Sequence, residues 1–502
     1  MTTRPAAWLI LPCLILACGD SDGGPDTAAD DAATDDDGPA EDAGDVPPDD
    51  AAPPDDAAPP DDADSATAED APADAPTDFP ADAPPDAPAD SPPETDEGDT
   101  EICVPVTCER TGAECGTVDD GCGHALDCGT CLAPQTCGHT APNRCGCTPG
   151  AWTVETIYAT DQAGLFSDVT TDAAARLHVG FSYVGPTLRT DGVMHGLRNA
   201  AGTWTFTMAA TGLCGFGCTG VRNAVAVDGA GRIHLLYHDD LFDNPEYSRS
   251  TDDGATWSWS YVCPTCGSAG FHPALAIDRD GRLHALHVDS AGIGAPHYAT
   301  LAPGADGSAW VDRRIDTTGG GYGGSITVDP AGGVHAAWDD PPDNDLRYAY
   351  RNPTTGDWSF ESLADPTDIG NDTAIAADPD GTVHVLHIRL PAGNVLHSVR
   401  TPDGAWTTTT IDSTSGSGQA NELVRGADGR LHAVWLRNRG SGGADLVYAV
   451  RDAAGTWSLE TVPGTGPLDG GLGLAIAGNI VYVTCHHQDR QDLQLASRCP
   501  DP

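Results

Sequence analysis

From residue 150 onward, apolar and polar residues alternate in short runs, and no stretch carries a helical 3.6-residue period. Residues 273–315 show the unit: "PALAID", the turn "RDG", "RLHALHV", a loop, "HYATLA", a second turn, then "WVDRRI". Four such runs, bounded by Gly, Asp and Pro, predict four strands, here called a to d. The unit recurs. Strand b carries a histidine near its start at His178, His234, His284, His335, His384 and His432, with Val481 in the seventh place. Strand d opens on a tryptophan at Trp152, Trp204, Trp257, Trp310, Trp358, Trp406 and Trp457. Two landmarks in phase, at a spacing of 48 to 56 residues between histidines, define an array.

Four strands at this period describe the blade of a β-propeller. The array starts on a d strand, "WTVETI" at 152–157, and ends on a c strand, "LQLASR" at 493–498. Placing the first strand in the last blade closes the ring and removes the free sheet edges at the seam. The fold class is all-β: a seven-bladed β-propeller over 150–502, its N-terminal strand closing the last blade.

Side chains alternate along a strand, so His284 shares one face with Leu286, and Leu283, Ala285 and His287 share the other. A catalytic group is needed once, whereas this histidine returns in six of seven units. It reads as a buried hydrogen-bonding brace. Three residues on, the chain has Phe181, Tyr237, His287, Trp338, His387, Trp435 and Thr484, a variable and mostly aromatic position about 10 Å up the strand. The b–c links beyond it add His238, Asp239, Asp240, Asp289, Asp339, Asp340, Arg389, Arg437, His486 and His487. The d–a links at the same rim add His272, Tyr322, Asp368, Asn371, Asp372 and Glu422. Aromatics among carboxylates and Arg around a concave mouth suit a carbohydrate or peptide ligand. The rim candidates are therefore Tyr237, His238, Asp239, His287, Asp289, Tyr322, Trp338, Asp339, His387, Arg389, Glu422, Trp435, Arg437 and His486. The alternative is that the aromatics only cap blade cores.

The first 149 residues are of another kind. Residues 20–99 hold 29 Asp and Glu and no basic residue, with Pro and Ala between them. Too little apolar surface is present to offset the entropy of ordering, so 18–100 is expected to be a disordered tether. The whole chain of 502 residues has a formal charge of −52, and its 24 basic residues are all Arg. That balance excludes a nucleic-acid partner, which requires clustered cations, and the lack of Lys excludes Schiff-base chemistry. Residues 1–17 read as a signal peptide, with an apolar run too short to be a dedicated membrane span. Residues 101–149 carry nine cysteines and few large apolar side chains, which predicts a small disulfide-held module. Cys128-Gly-Thr-Cys131, near His124 and His139, has zinc-ligand spacing, but an oxidising compartment favours disulfides. No metal or cofactor is expected.

Three stretches resemble known families. Ile15-Leu16-Ala17-Cys18 resembles the lipobox of bacterial lipoproteins, with Leu16 where a smaller residue is commoner; it implies lipidation of Cys18 and an outer-membrane lipoprotein facing the surface or the periplasm. "CGTVDDGCGHALDCGTC" resembles a Cys-rich module of bacterial surface lipoproteins, over about fifty residues. "STDDGATW", Ser250 to Trp257, matches the Asp-box of sialidases and other BNR-repeat propellers, and "RDAAGTW", "RNAAGTW", "RTPDGAW" and "RNPTTGDW" are eroded copies. In that family the box is a structural turn opposite the active face. A sialidase implies an arginine triad with an early Arg-Ile-Pro, which is missing. "DGRLHALH" also resembles propeller-type polysaccharide lyases, for which His287, His387, His486, His487 and Arg389 would be the parts. The reading carried forward is a monomeric, lipid-anchored display module that binds a glycan or protein without catalysis. A glycoside hydrolase or polysaccharide lyase is the alternative.

Cysteines outside the module make two further expectations. Cys214, Cys218, Cys263 and Cys266 fall in neighbouring d–a links, implying two disulfides, or a four-cysteine zinc site. Aligning "DLQLASRC" on "DLVYAVRD" brings Cys499 to the place reached by Cys147 from the other end of the chain. A Cys147–Cys499 bond would lock the seam. Cys145, or a local Cys485–Cys499 pair, is the alternative.

Overall fold

The computed structural model describes residues 103–499 apart from short segments at 132–133, 188–189, 200–201, 214–221, 267–268, 290–293, 318–319, 341–342, 365–368 and 479. The signal segment, Cys18, the acidic tether, Cys214, Cys218 and Asp368 lie outside the described residues, as do the side chains of Tyr322 and Asn371. No helix among the described residues is long and apolar enough to cross a membrane.

Seven antiparallel four-stranded blades follow one another, starting at Gln162, Asn223, Ala269, Tyr322, Ile369, Ser417 and Leu468, the last two joined into one sheet by the single Ala444–Leu468 pairing; they are blades 1 to 7. Blade 3 is representative, with strands Ala269–Ile277, Leu283–Asp289, Pro296–Leu301 and Val311–Arg314 in order a-b-c-d. Blade 7 takes its fourth strand from the start of the array: Trp152–Tyr158 pairs antiparallel with Asp492–Arg498, Trp152 opposite Arg498 and Tyr158 opposite Leu493.

Seven apolar clusters lie between consecutive blades. One joins Leu236 and Tyr247 of blade 2 to Leu283 and Ala285 of blade 3, and the next joins Leu286 and Tyr298 of blade 3 to Val334 and Trp338 of blade 4. The cluster that unites Ala475, Tyr482 and Leu495 of blade 7 with Val169, Leu177 and Val179 of blade 1 closes the circle. Each b strand is thus covered on both faces. That is why "LHALHVD" reads as a near-continuous buried run.

The repeat histidine links layers. His284 Nδ1 lies 2.7 Å from the Tyr298 hydroxyl on strand c, and Nε2 lies 3.3 Å from Asp278 of the a–b turn. His335 repeats this with Tyr348 at 2.7 Å and Asp329 at 3.1 Å. His178 and His384 use His195 and His397 instead, each at 3.1 Å. The Tyr or His partner then meets the edge of the next blade's tryptophan: Tyr298 with Trp358 at 5.1 Å, Tyr348 with Trp406 at 5.4 Å, and Tyr448 with Trp152 at 5.4 Å across the seam. Burial lowers the His284 pKa despite Asp278, so the brace is neutral at pH 7.

The module before the ring has one helical turn, Cys108–Thr111, and two short ladders. Its only buried side chains among those described are Cys115 and Asp120, so disulfides replace a core. The bonds are Cys103–Cys122, Cys108–Cys128, Cys115–Cys137 and Cys131–Cys145. Cys128 and Cys131 therefore take separate partners. The ninth cysteine, Cys147, is bonded to Cys499, and Cys485 is a buried free thiol.

Candidate functional site

The inner strands of the blades share a defect that builds a site. Strand a slips register against strand b between Phe271 and Ala274 in blade 3, Asn371 and Ala374 in blade 5, and Gln419 and Glu422 in blade 6. Such bulges re-aim side chains. The residue at the slip adopts left-handed φ: 50° at His272, 56° at Gly323, 45° at Asp372 and 54° at Ala420. This position stands twelve residues before the repeat histidine; in blades 3 to 6 it is His272, Gly323, Asp372 and Ala420, and in blades 1 and 2, without the left-handed φ, it is Phe166 and Arg222. All six line one axial pocket of ≈ 150 Å³, to which blade 7 adds Gly471 and Leu472.

Two carboxylates stand two positions further on, Asp168 in blade 1 and Glu422 in blade 6. Blade 7 intervenes but is thin there. A Cβ on Gly473 would lie 2.7 Å from both Asp168 Cα and Val169 N, so only glycine lets blade 7 sit this close to blade 1. Burial raises the Asp168 pKa to about 6, against hydrogen bonds from the Val225 and Val169 N–H groups, both at 2.8 Å. Glu422 is raised well above its ordinary value by burial and then by the charges of Asp168 and Asp372. Asp372 is raised by burial and pulled back by Arg222. Burial, then the Arg222 and His238 charges, lower the His272 pKa and keep its ring neutral. The Arg222 guanidinium is open to the channel and lies 4.5 Å from the Phe166 ring centre. Asn421 donates to the Asp372 carbonyl at 2.6 Å, and its own amide oxygen is buried without a hydrogen-bond partner. One pocket therefore offers two carboxyls of raised pKa, Asp372 and Glu422, with a guanidinium, a neutral imidazole and a free acceptor, and Asp168 lies behind its wall next to Ser167.

Of the rim candidates, only Glu422 lines this pocket. Tyr237, Trp338, His387 and Trp435 are wholly buried. Tyr237, Trp338 and Trp435 belong to the interblade cores, and the His387 ring bonds Ser398 at 2.8 Å. The expectation of an aromatic rim is corrected: the second face of strand b abuts the preceding blade and leaves no mouth to line. His287 is also wholly buried, with Nε2 2.8 Å from Asp312, and Asp289 caps its link through the Ala295 N–H at 3.2 Å. His238 is buried against Asp240 at 2.7 Å, and Asp239 accepts from the Leu241 N–H at 2.8 Å. Asp339 is buried and Arg389 half-buried. Arg437 is spent on Asp412 at 2.6 Å, and His486 on Asp469 at 2.6 Å. His272 and Asp372 were read as loop groups and are axial. Arg222 and Asp168 escaped the sequence reading. For Arg222 the signal was available at the position twelve residues before the histidine, where the repeat stops repeating.

The d-strand turn of blade 2 is a closed network away from this pocket. Asp252 accepts from the Thr256 N–H at 2.9 Å and its hydroxyl at 2.6 Å, and the Gly254 N–H donates to Ser250 Oγ at 2.9 Å. Trp257 returns its indole N–H to the Gly254 carbonyl at 3.0 Å.

No family model matches the sequence, and no curated protein matches it. Solved structures do. An ulvan lyase described as a new polysaccharide lyase family, PL25, is 12% identical, covers 68% of this chain and 95% of its own, and superposes with a TM-score of 0.50. The Hadza microbial sialidase Hz136 is 13% identical over 66% of this chain and 74% of that one, with a TM-score of 0.41. An Aleuria aurantia lectin is 12% identical over 62% and 98%, with a TM-score of 0.39. At such identities the likeness speaks for the fold alone: this chain is a β-propeller, of an architecture that the ulvan lyase shares.

Proposed function

We propose that the chain is a lipid-anchored, surface-displayed propeller that binds a glycan through its axial pocket. One observation carries this reading. Twelve residues before a histidine that all six share, blades 1 to 6 carry Phe, Arg, His, Gly, Asp and Ala, so the position is released from the architecture and committed to a ligand. A pocket of ≈ 150 Å³ has the volume of about five waters, the scale of one sugar ring. Its mixed donors and acceptors suit hydroxyl groups. The net charge of −52 disfavours approach of a polyanion, which points to a neutral sugar at a chain end. A lipid on Cys18 and the acidic tether would hold this face away from a membrane, on a monomer.

A glycan array with the full chain and the Arg222→Ala and Glu422→Gln variants tests the reading. Selective binding by the parent and at least tenfold weaker binding by both variants is expected. Equal binding by all three would remove the pocket from the function. The enzyme reading is favoured by one pair, Asp168 with Glu422, in which burial and then the Asp168 charge raise the Glu422 pKa as in a glycosidase acid. In that reading Glu422 is the acid, and for a lyase the neutral His272 is the base with Arg222 on a uronate carboxylate. New reducing ends, or ultraviolet absorbance of an unsaturated product, lost in Glu422→Gln or in His272→Ala respectively, would decide for catalysis.

A further inference from the structure

The link after strand d of blade 2 runs through Cys263-Pro-Thr-Cys266 along a second cleft, of ≈ 480 Å³, lined also by Asp289, His297 and Asp312 of blade 3. Cys266 Sγ lies 3.3 Å from Asp312 Oδ2 and 3.7 Å from His297 Nδ1, and that nitrogen lies 2.8 Å from the same oxygen. Both sulfurs and an Asp312 oxygen fall within 4.8 Å of one another. Cys263 and Cys266 are bonded to each other here; reduced, two thiolates, an imidazole and a carboxylate make a zinc donor set. Ligands held about 2.0–2.3 Å from zinc stand about 3.3–3.8 Å apart at the corners of a tetrahedron. The Cys263 and Cys266 sulfurs, bonded to each other, have to part on reduction. Among Cys266, His297 and Asp312 two of the three separations are in that range. The third is the hydrogen bond between imidazole and carboxylate, and a cation would open it by about half an ångström.

The outer partners fit as well. His287 Nε2 lies 2.8 Å from Asp312 Oδ1, which leaves Oδ2 for a cation. The far nitrogen of His297 lies 3.5 Å from Asp289. Metal-bound histidines characteristically present that nitrogen to a carboxylate. The repeat does not need this cluster. His287 faces His297 across the ladder, whereas the same position pairs His387 with Leu396 in blade 5 and Trp435 with Val447 in blade 6.

We propose that Cys263, Cys266, His297 and Asp312 form a tetrahedral site for a zinc-type divalent cation, with Asp289 and His287 orienting the imidazole and the carboxylate. The site is loaded in its dithiol state, and the Cys263–Cys266 bond is its oxidised counterpart. An external dithiol gives the bond two electrons and two protons and leaves as its own disulfide. The cation then displaces the two thiol protons. Loaded, the site ties the link that leaves blade 2 to strands c and d of blade 3.

The test uses zinc and cobalt alone as probes on the full chain. Protein treated with a mild dithiol and zinc, then desalted, should retain one zinc per chain by elemental analysis. Cobalt should give an intense tetrahedral visible spectrum with a thiolate charge-transfer band. Because the module's cysteines also reduce, the Cys263→Ser/Cys266→Ser variant is the reference, and it should lose that one equivalent and the band. His297→Ala should lose the band as well, and Asp289→Asn should weaken zinc by about 10–100-fold with the fold intact by circular dichroism. Zinc retained equally by the double-serine variant, or a parent chain that takes no zinc after reduction, overturns the site.

Discussion

His195 and His397 stand where blades 2, 3, 4 and 6 carry the tyrosines Tyr247, Tyr298, Tyr348 and Tyr448 of the brace. Burial, then the adjacent repeat histidine, lowers the pKa of His195 to about 3 and of His397 to about 2. In the unfolded chain each titrates near 6.5. The unfolded state thus binds more protons below that pH, and the stability from each neutral ring, full above about 6.5, drains as pH falls. Between pH 6.5 and 5 the loss is on the order of 2 kcal/mol per histidine. His195→Tyr and His397→Tyr should therefore shift the acid-unfolding midpoint downward while changing little at pH 8; an unchanged acid midpoint would refute the assignment. His284→Ala, which takes the imidazole from the Tyr298 hydroxyl, should cost about 1–3 kcal/mol in chemical denaturation without abolishing any ligand binding. The brace was legible because its letter repeats and a repeated letter means a repeated need. Arg222 and Asp168 were not, because a site assembled from different letters at one repeated position has no motif. Tyr237 and Trp338 misled because alternation along a strand says which residues share a face, not whether that face has a neighbour.

Two elements separate scaffold from site. The blade 2 turn is held by Asp252 through three hydrogen bonds, to Ser250, the Thr256 N–H and the Thr256 hydroxyl. Asp252→Ala should lower the thermal midpoint through that turn and leave the array profile of the parent. Strand a of blade 7 is the contrary case. Gly473→Ala drives a methyl into the Asp168 and Val169 backbone, and overpacking of this kind costs about 1–3 kcal/mol. The same displacement moves Asp168 relative to Glu422, so Gly473→Ala should lose binding and stability together. Retained affinity at lowered stability would show that the carboxyl pair is not part of the ligand site. The strands themselves were legible from alternation and turn residues. The bulges were not, because a register slip is set by how strand a meets its neighbours across the axis, and one repeat does not display that.

At the scale of the whole molecule the ring depends on its seam. Cys147 and Cys499 are joined across 352 residues, a loop for which chain entropy gives on the order of 5–6 kcal/mol. Cys147→Ser/Cys499→Ser should lower the thermal midpoint and make Trp152–Tyr158 the first segment to exchange its amides. Unchanged protection there would mean the interblade cluster closes the ring unaided. The architecture was legible because the array begins on a fourth strand and ends on a third, which leaves few ways to finish. The bond also sets a mechanical path. Tension arriving along the chain from the N-terminal side reaches Cys147 before it reaches Trp152, and the bond passes it directly to Cys499, one residue past the neighbouring strand. The ladder between Trp152–Tyr158 and Asp492–Arg498 then lies in parallel with a covalent shunt rather than in series with the load. Such a load passes around the closing ladder, while the pocket at the axis, to which all seven blades contribute, keeps its shape.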